Sequence, residues 1–315
     1  MKRSSRAASK KPGPVRCGAE EEIRQIYRKL AQAWGPQHWW PAETPFEVIV
    51  GAILTQNTSW TNVERAMANL RQAGALSLEG IRNISIAELE PLVRSSGYFR
   101  QKAQRLKDFV AFVDAEHGGS LEKMFATPTE ELRSELLEQK GIGRETADSI
   151  LLYAGLHPVF VVDAYTRRIL ERHRIISGSA GYDDIRLLVE CALCDETAEA
   201  PGSSLLAPGQ RSRQPMSGQE PIAKSQEPSS LSITRPITHA PSPMSMAKQS
   251  RLARVYNEMH GLLVQVGKHY CHKQRPDCER CPLGEMLSAR QRSQLRALSA
   301  GAIRGTTKPS WLKSH

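Results

Sequence analysis

In KGIGRETADSILLYAGLHPVFVVDAYTRR (residues 140–168) a glycine-flanked turn precedes a helix-like run, and a carboxylate follows an apolar one. Asp163 is the residue here with chemistry to offer. A carboxylate beside a developing positive charge stabilises it, and it can orient or deprotonate an attacking water. Asp163 also opens the helix-like DAYTRRILERH, where Asp serves well as an N-cap; at the mouth of a cleft both roles can coexist. Upstream, Gly141-Ile142-Gly143 lets the chain turn sharply, because glycine tolerates positive φ. The next helix begins with free N–H groups and the positive end of a dipole, both favourable to phosphate. With Lys140, Arg144 and Thr146 around it, the turn is a candidate clamp on a nucleic-acid backbone, set against the plain reading of a helix connection.

These residues need helices to hold them. EEIRQIYRKLAQAW spaces its apolar residues along one helix face. PFEVIVGAILTQ starts with Pro45 at a first-turn position, and TNVERAMANLRQ pairs Thr61 with Glu64 as in a capping box. IAELEPLVRSSG, YFRQKAQRLKDFVAFVDAEHGG and TPTEELRSELLEQKG continue the helical series, so the spacing predicts an all-α chain over 18–194. Residues 195–249 hold 8 of the 19 prolines, many Ser, Gln and Gly, and no apolar period, which predicts a disordered insertion. Helical spacing resumes at RLARVYNEMHGLLVQVGKHY. The ends, 1–17 and 291–315, read as loose basic tails.

Bulk composition narrows the partner. The 315 residues suffice for two cores. Lys and Arg number 43 against 33 acids, a formal charge of +10 that points to a polyanion such as nucleic acid. No apolar run approaches the roughly 20 residues of a membrane span. The first residues, MKRSSRAASKKPGPVR, have no apolar stretch, so a cytoplasmic location with the DNA is expected rather than secretion.

Several motifs in fixed order resemble one family. Leu137 to Arg168, carried by Gly141, Gly143, Gly155, Pro158 and Asp163, resembles the helix-hairpin-helix, Gly/Pro loop and aspartate signature of the endonuclease III-like (HhH-GPD) DNA glycosylases. HWWPAETPFEVIVGAILTQNTSW, SSGYFRQKAQRLKDF and QKGIGRETADSILLYA are similar to the 3-methyladenine DNA glycosylase III branch. The resemblance implies an all-α, two-domain fold: a helical barrel over 41–156, and a discontinuous domain from 18–40, 157–194 and 250–290. It implies double-stranded DNA with a damaged base as the substrate of a monomer, and Asp163 as the catalytic carboxylate. Bifunctional relatives carry a Schiff-base lysine where this chain has Glu145, which cannot form an imine, so a monofunctional hydrolysis is expected. Glu145 then reads as a cleft carboxylate or as a first-turn acid favoured by the dipole. A bifunctional enzyme for oxidised pyrimidines and a non-catalytic DNA binder are the competing readings.

Alkylated purines carry positive charge, which electron-rich aromatic faces attract. The resemblance places such a pocket at Trp39, Trp40, Pro41 and Trp60, with Trp60 and one of the two adjacent tryptophans as the expected aromatics; plain packing is the other role open to them. Gln56 matches the residue that fills the gap left by an extruded base. Cys271, six residues, Cys278, two residues, Cys281 resembles the family's iron–sulfur loop, but Leu287 stands where a fourth cysteine is expected. Four thiolates are the usual complement of a 4Fe–4S cluster. The alternatives are zinc completed by His269 or His272 and a metal-free loop. The CxxC pair Cys191 and Cys194 is separated from the loop by the insertion. Any cluster would hold a basic loop to DNA rather than do chemistry.

Overall fold

The computed structural model describes residues 18–196 and 240–299. Among them the chain is all-α, without a strand. One group of helices is α2 (Pro45–Leu54), α3 (Trp60–Gln72), α4 (Leu78–Asn83), α5 (Ile86–Leu92), α6 (Phe99–His117), α7 (Leu121–Ala126), α8 (Thr129–Glu138) and α9 (Arg144–Ser149). Helix α2, apolar apart from Glu47, is buried at their centre, against α3, α6 and α9. The other group joins α1 (Ala19–Trp34) to α10 (Ala164–Arg172), α11 (Tyr182–Leu193) and α12 (Arg251–His269). The helix begun by α9 widens into a π turn, Ile150–Ala154, which packs on both α2 and α12 and so joins the groups. Such turns are uncommon and cluster at functional sites.

Local chemistry explains most of the boundaries. Pro45 sits at the first position of α2, and Thr44 accepts a hydrogen bond from the Glu47 N–H at 3.2 Å. The expected Thr61 cap is corrected: the N-cap of α3 is Ser59, two residues earlier, and the helix starts at Trp60. Glu64 accepts instead from the indole Nε1 of Trp60 at 3.0 Å. The run Val159–Val162 is buried and extended yet pairs with no strand. Its N–H groups find side chains: Phe160 donates to Glu190 at 2.8 Å and Val162 to the Tyr182 hydroxyl at 3.2 Å. That satisfies a buried backbone without a sheet and aims the chain at Asp163.

Two expected boundaries move. Helix α13 (Ala289–Ser299) occupies the start of what reads as a loose tail, because Leu295 finds a buried place beside the cysteine loop. At the end of the expected insertion, residues 240–249 pack against the chain near Trp40. The Ser242 hydroxyl donates to the Trp40 carbonyl at 3.2 Å, the Met244 N–H donates to the Ala42 carbonyl at 3.2 Å, and Met244 is buried. The rest of that insertion, 197–239, and the tails 1–17 and 300–315 lie outside the described residues.

Candidate active site

Asp163 is the N-cap of α10. Its Oδ1 accepts from the Thr166 N–H at 2.7 Å. Its Oδ2 lies 3.6 Å from Nε2 of His260, on α12, and the carboxylate is 13% exposed. Burial pushes the Asp163 carboxyl pKa up, but His260 and the Thr166 N–H more than offset this, so the net displacement is downward. The cap expected from sequence and an ionised carboxylate at a cleft are therefore one residue.

Glu145, in the first turn of α9, is open to water yet ringed by the cleft walls. That crowding, and then the nearby Asp163 charge, push its pKa up to about 7. Two carboxyl groups with pKa values driven apart can divide acid and base work.

The tryptophans separate. A cis peptide joins Trp39 and Trp40. Trp40 is 7% exposed and packs edge-on against Trp60 at 5.1 Å between ring centroids and against Tyr153 at 5.1 Å. It is a buried wall, backed by Gly51, whose added Cβ would stand 3.1 Å from the Trp40 ring. Trp39 and Trp60 are half-buried, as is Pro41. The ammonium of Lys268 lies 5.3 Å from the Trp39 ring centroid.

The hairpin turn is built as its glycines require. Gly141 has φ +86°, and an added Cβ would also collide with Arg105. Lys140, Gly143 and Arg144 are exposed around the turn, with Arg144 paired to Asp183 at 2.8 Å. The side chains of Ile142 and Thr146 are buried: Ile142 packs in the core, and the Thr146 hydroxyl accepts from Gln56 at 2.9 Å. Gln56 also donates to the Gly141 carbonyl at 3.0 Å and accepts from Arg105, so its amide is engaged with the hairpin and its surroundings. Beneath the hairpin, Arg133 bridges buried Asp148 at 2.7 Å and Asp183 at 2.7 Å, tying α8, α9 and α11 together.

Three residues of this cleft escaped the sequence reading. His260 and Lys268 carry no motif, Tyr153 lies in a quoted stretch without being singled out, and only the fold brings α12 and the π turn to Asp163. Partial burial draws the Lys268 pKa down, against the nearby carboxylates of Glu64 and Asp163.

Cys271, Cys278 and Cys281 line one cavity of about 20 Å³. Leu287, 5% exposed, also lines it. Arg172 donates to the Cys271 sulfur at 3.0 Å. Burial pushes both the Cys278 and Cys281 thiols up, Cys281 to about 12. Neither His269 nor His272 lines the cavity. Among the described residues no group of three His, Cys, Asp or Glu side chains is arranged to hold a metal ion. Three half-buried thiols, a leucine in place of a fourth cysteine and a cavity of about 20 Å³ do not fit a four-thiolate cluster.

Residues 50–192 match the family model for HhH-GPD superfamily base excision DNA repair proteins. A Methanocaldococcus jannaschii protein described as a DNA repair glycosylase is 48% identical over 172 residues, 54% of this chain and 78% of the relative. An endonuclease III of Thermotoga maritima is 28% identical over 151 residues, 48% of this chain and 65% of that one. The H. pylori 3-methyladenine DNA glycosylase bound to 1,N6-ethenoadenine superposes with a TM-score of 0.55 at 27% identity, covering 79% of this chain and 97% of the other. A trapped endonuclease III–DNA covalent intermediate shares the fold, with a TM-score of 0.60 at 17% identity over 88% and 99% of the chains. No helix among the described residues is long and apolar enough to cross a membrane.

Proposed function

The chain belongs to the HhH-GPD superfamily of base excision DNA repair proteins, as a DNA repair glycosylase, and we propose that it hydrolyses the N-glycosidic bond of alkylated, 3-methyladenine-type bases without cutting the strand. The observation that carries this is the partly exposed Asp163 carboxylate, held at the start of α10 by the Thr166 N–H, together with a carboxylate rather than an amine at position 145. The target base leaves the duplex for the pocket. As its bond to the sugar breaks, positive charge develops at C1′, and the Asp163 carboxylate stabilises it. The same carboxylate orients water for attack on the opposite side of the broken bond. Glu145 offers no amine, so the abasic site is released intact.

A cationic base suits the half-buried faces of Trp39 and Trp60, since an aromatic face attracts a cation. The similarity to a 3-methyladenine glycosylase that binds an etheno-modified adenine supports a purine pocket of this kind. Lys140, Arg144 and the Gly143 N–H are the proposed phosphate contacts at the exposed hairpin turn. The chain acts as a monomer on double-stranded DNA in the cytoplasm, with 41–156 as one domain and 18–40, 157–194 and 250–290 as the other. The three-cysteine loop supplies structure and carries no step of the reaction.

A second reading has one observation in its favour. Lys268 lies within electrostatic reach of Asp163, and partial burial favours its neutral, nucleophilic form. It could supply the imine-forming amine that position 145 lacks. Incubation with oligonucleotides bearing single lesions separates the readings. Abasic sites that nick only after alkali support hydrolysis alone. Borohydride trapping of a covalent adduct that disappears in Lys268→Ala would establish the lyase.

A further inference from the structure

The Asp163 side chain is held at both oxygens. The Thr166 N–H donates to Oδ1 at 2.7 Å, and Oδ2 faces His260 Nε2 at 3.6 Å. His260 comes from α12 and is 4% exposed. Phe160, Tyr153 and Trp39 wall its ring, with centroids at 6.3, 5.9 and 6.5 Å. Its Nδ1 is hydrogen-bonded to the Tyr153 hydroxyl, whereas its buried Nε2 has no hydrogen-bond partner. An unsatisfied buried donor is costly, and the Asp163 carboxylate is the acceptor it faces. A small rotation or one bridging water closes the 3.6 Å gap.

We propose that His260, oriented by Tyr153, is the positioning residue of Asp163: it holds the carboxylate toward the cleft and keeps it ionised. The Tyr153 hydroxyl is buried, and burial raises its pKa well above the ordinary value, so it keeps its proton. The proposed geometry has it donating to His260 Nδ1, which puts the ring proton on Nε2, facing Oδ2. The ring neighbour on one side thus fixes the tautomer that serves the carboxylate on the other. The other titratable groups acting on Asp163 are Glu145 and Tyr153 from the hairpin helix, Tyr165 on its own helix and Lys268 on α12. Of these groups and His260, His260 is the one that makes a side-chain contact with the carboxylate itself. The role assigned to it rests on the glycosylase reaction proposed above.

The test uses the full chain and two readouts. Carbon-13 NMR follows the Asp163 carboxyl titration, with the resonance assigned by its loss in Asp163→Asn. Single-turnover excision from methylated duplex DNA gives the pH profile. Removing a donor from a carboxylate raises its pKa. His260→Leu should therefore move both the NMR midpoint and the acid limb of excision upward by about one pH unit. Excision on the acid side should fall up to about tenfold, and by less above neutrality, where the carboxylate stays ionised but is no longer held in place. His260→Gln places an amide N–H near the position of Nε2 and should restore most of the shift. Tyr153→Phe should move the midpoint the same way by less. An unmoved midpoint in a folded His260→Leu overturns the proposal. If that variant does not fold, an unmoved midpoint in Tyr153→Phe overturns it instead. Should the natural chain excise no methylated base while the midpoint still moves in His260→Leu, the substrate reading fails and the positioning role stands.

Discussion

Asp163→Asn separates the two duties of one side chain. Asn keeps an Oδ1 that can accept from the Thr166 N–H, now 2.7 Å from the carboxylate, and Asn is as good an N-cap as Asp. What disappears is the charge at Oδ2. Two unit charges about 4 Å apart at an effective dielectric of about 20 interact by roughly 4 kcal/mol. Each 1.36 kcal/mol is tenfold in rate. The oriented amide recovers part of this, so excision should fall by about two to three orders of magnitude. The new Nδ2 faces His260 Nε2, which sits 3.6 Å from Oδ2 in the natural chain. Losing that contact costs about 1 kcal/mol, or roughly 2–4 °C in melting temperature. Binding to lesion DNA should survive, or tighten, because a repulsion with phosphate is gone. The assay is single-turnover excision from methylated duplex, beside a thermal melt. Normal excision with a much lower melting temperature would make Asp163 a cap and nothing more. Normal excision with a normal melt would refute the catalytic reading outright.

Three further outcomes are expected. Glu145 binds its proton more tightly in the folded state, so its contribution to stability is present below about pH 4.5 and is lost as pH rises through about 7; melting curves of Glu145→Gln should gain on the natural chain over that window, and a constant difference would count against the raised pKa. Arg133→Ala leaves buried Asp148 without its partner, which should cost about 3–5 kcal/mol, or roughly 6–20 °C; a loss under about 1 kcal/mol would mean the hairpin does not depend on that bridge. Protein purified anaerobically should carry little iron or sulfide, and Leu287→Cys should raise both; full cluster occupancy in the natural chain would show that three cysteines suffice.

What the sequence reveals of this site is what lies close along the chain. Gly141, Gly143, Asp163 and the Pro45 start are local devices: a positive φ, a cap, a fixed first-turn angle. Their meaning survives any packing of the rest. The tryptophans are legible as a group but not one by one, because only the packing of α2 against α3 and the π turn decides that Trp40 is buried while Trp39 and Trp60 stay half-buried. Ile142 and Thr146 show the same limit on the hairpin. A turn sequence says which residues are present, not which side faces the core, and both face inward. His260 and Lys268 follow Asp163 by about a hundred residues, beyond the insertion, on a helix whose spacing reads as plain amphipathic. Nothing local marks them. Their role is created when α12 packs on α10 and the π turn.

The same reasoning sets the edge of the segment that can be cut away. Composition alone places the insertion at 195–249, and a cut of 200–245 would then be harmless. The packing of its last residues sets a nearer limit. On the near side the chain is pinned at Glu196, whose carboxylate pairs with Arg28 at 2.6 Å and whose carbonyl accepts from Arg251. On the far side Ser242 and Met244 bond to Trp40 and Ala42, next to the aromatic pocket. Glu196, Ser245 and Met246 line one cavity, so the described segments on either side of 197–239 approach each other there. Shortening a loop changes its closure entropy only logarithmically. Replacing 200–237 with a few Gly and Ser should therefore leave melting temperature and excision nearly unchanged. Extending the cut through 245 removes a buried methionine, worth about 1.5–3 kcal/mol, and several hydrogen bonds at about 1 kcal/mol each. That larger deletion should lower the melting temperature by roughly 5–15 °C, and it should slow excision because the Trp39–Pro41 segment loses its support. Equal behaviour of the two deletions would mean that 240–249 contributes nothing to the pocket. A large loss already in the shorter one would mean that 200–237 has a structural duty its composition hides.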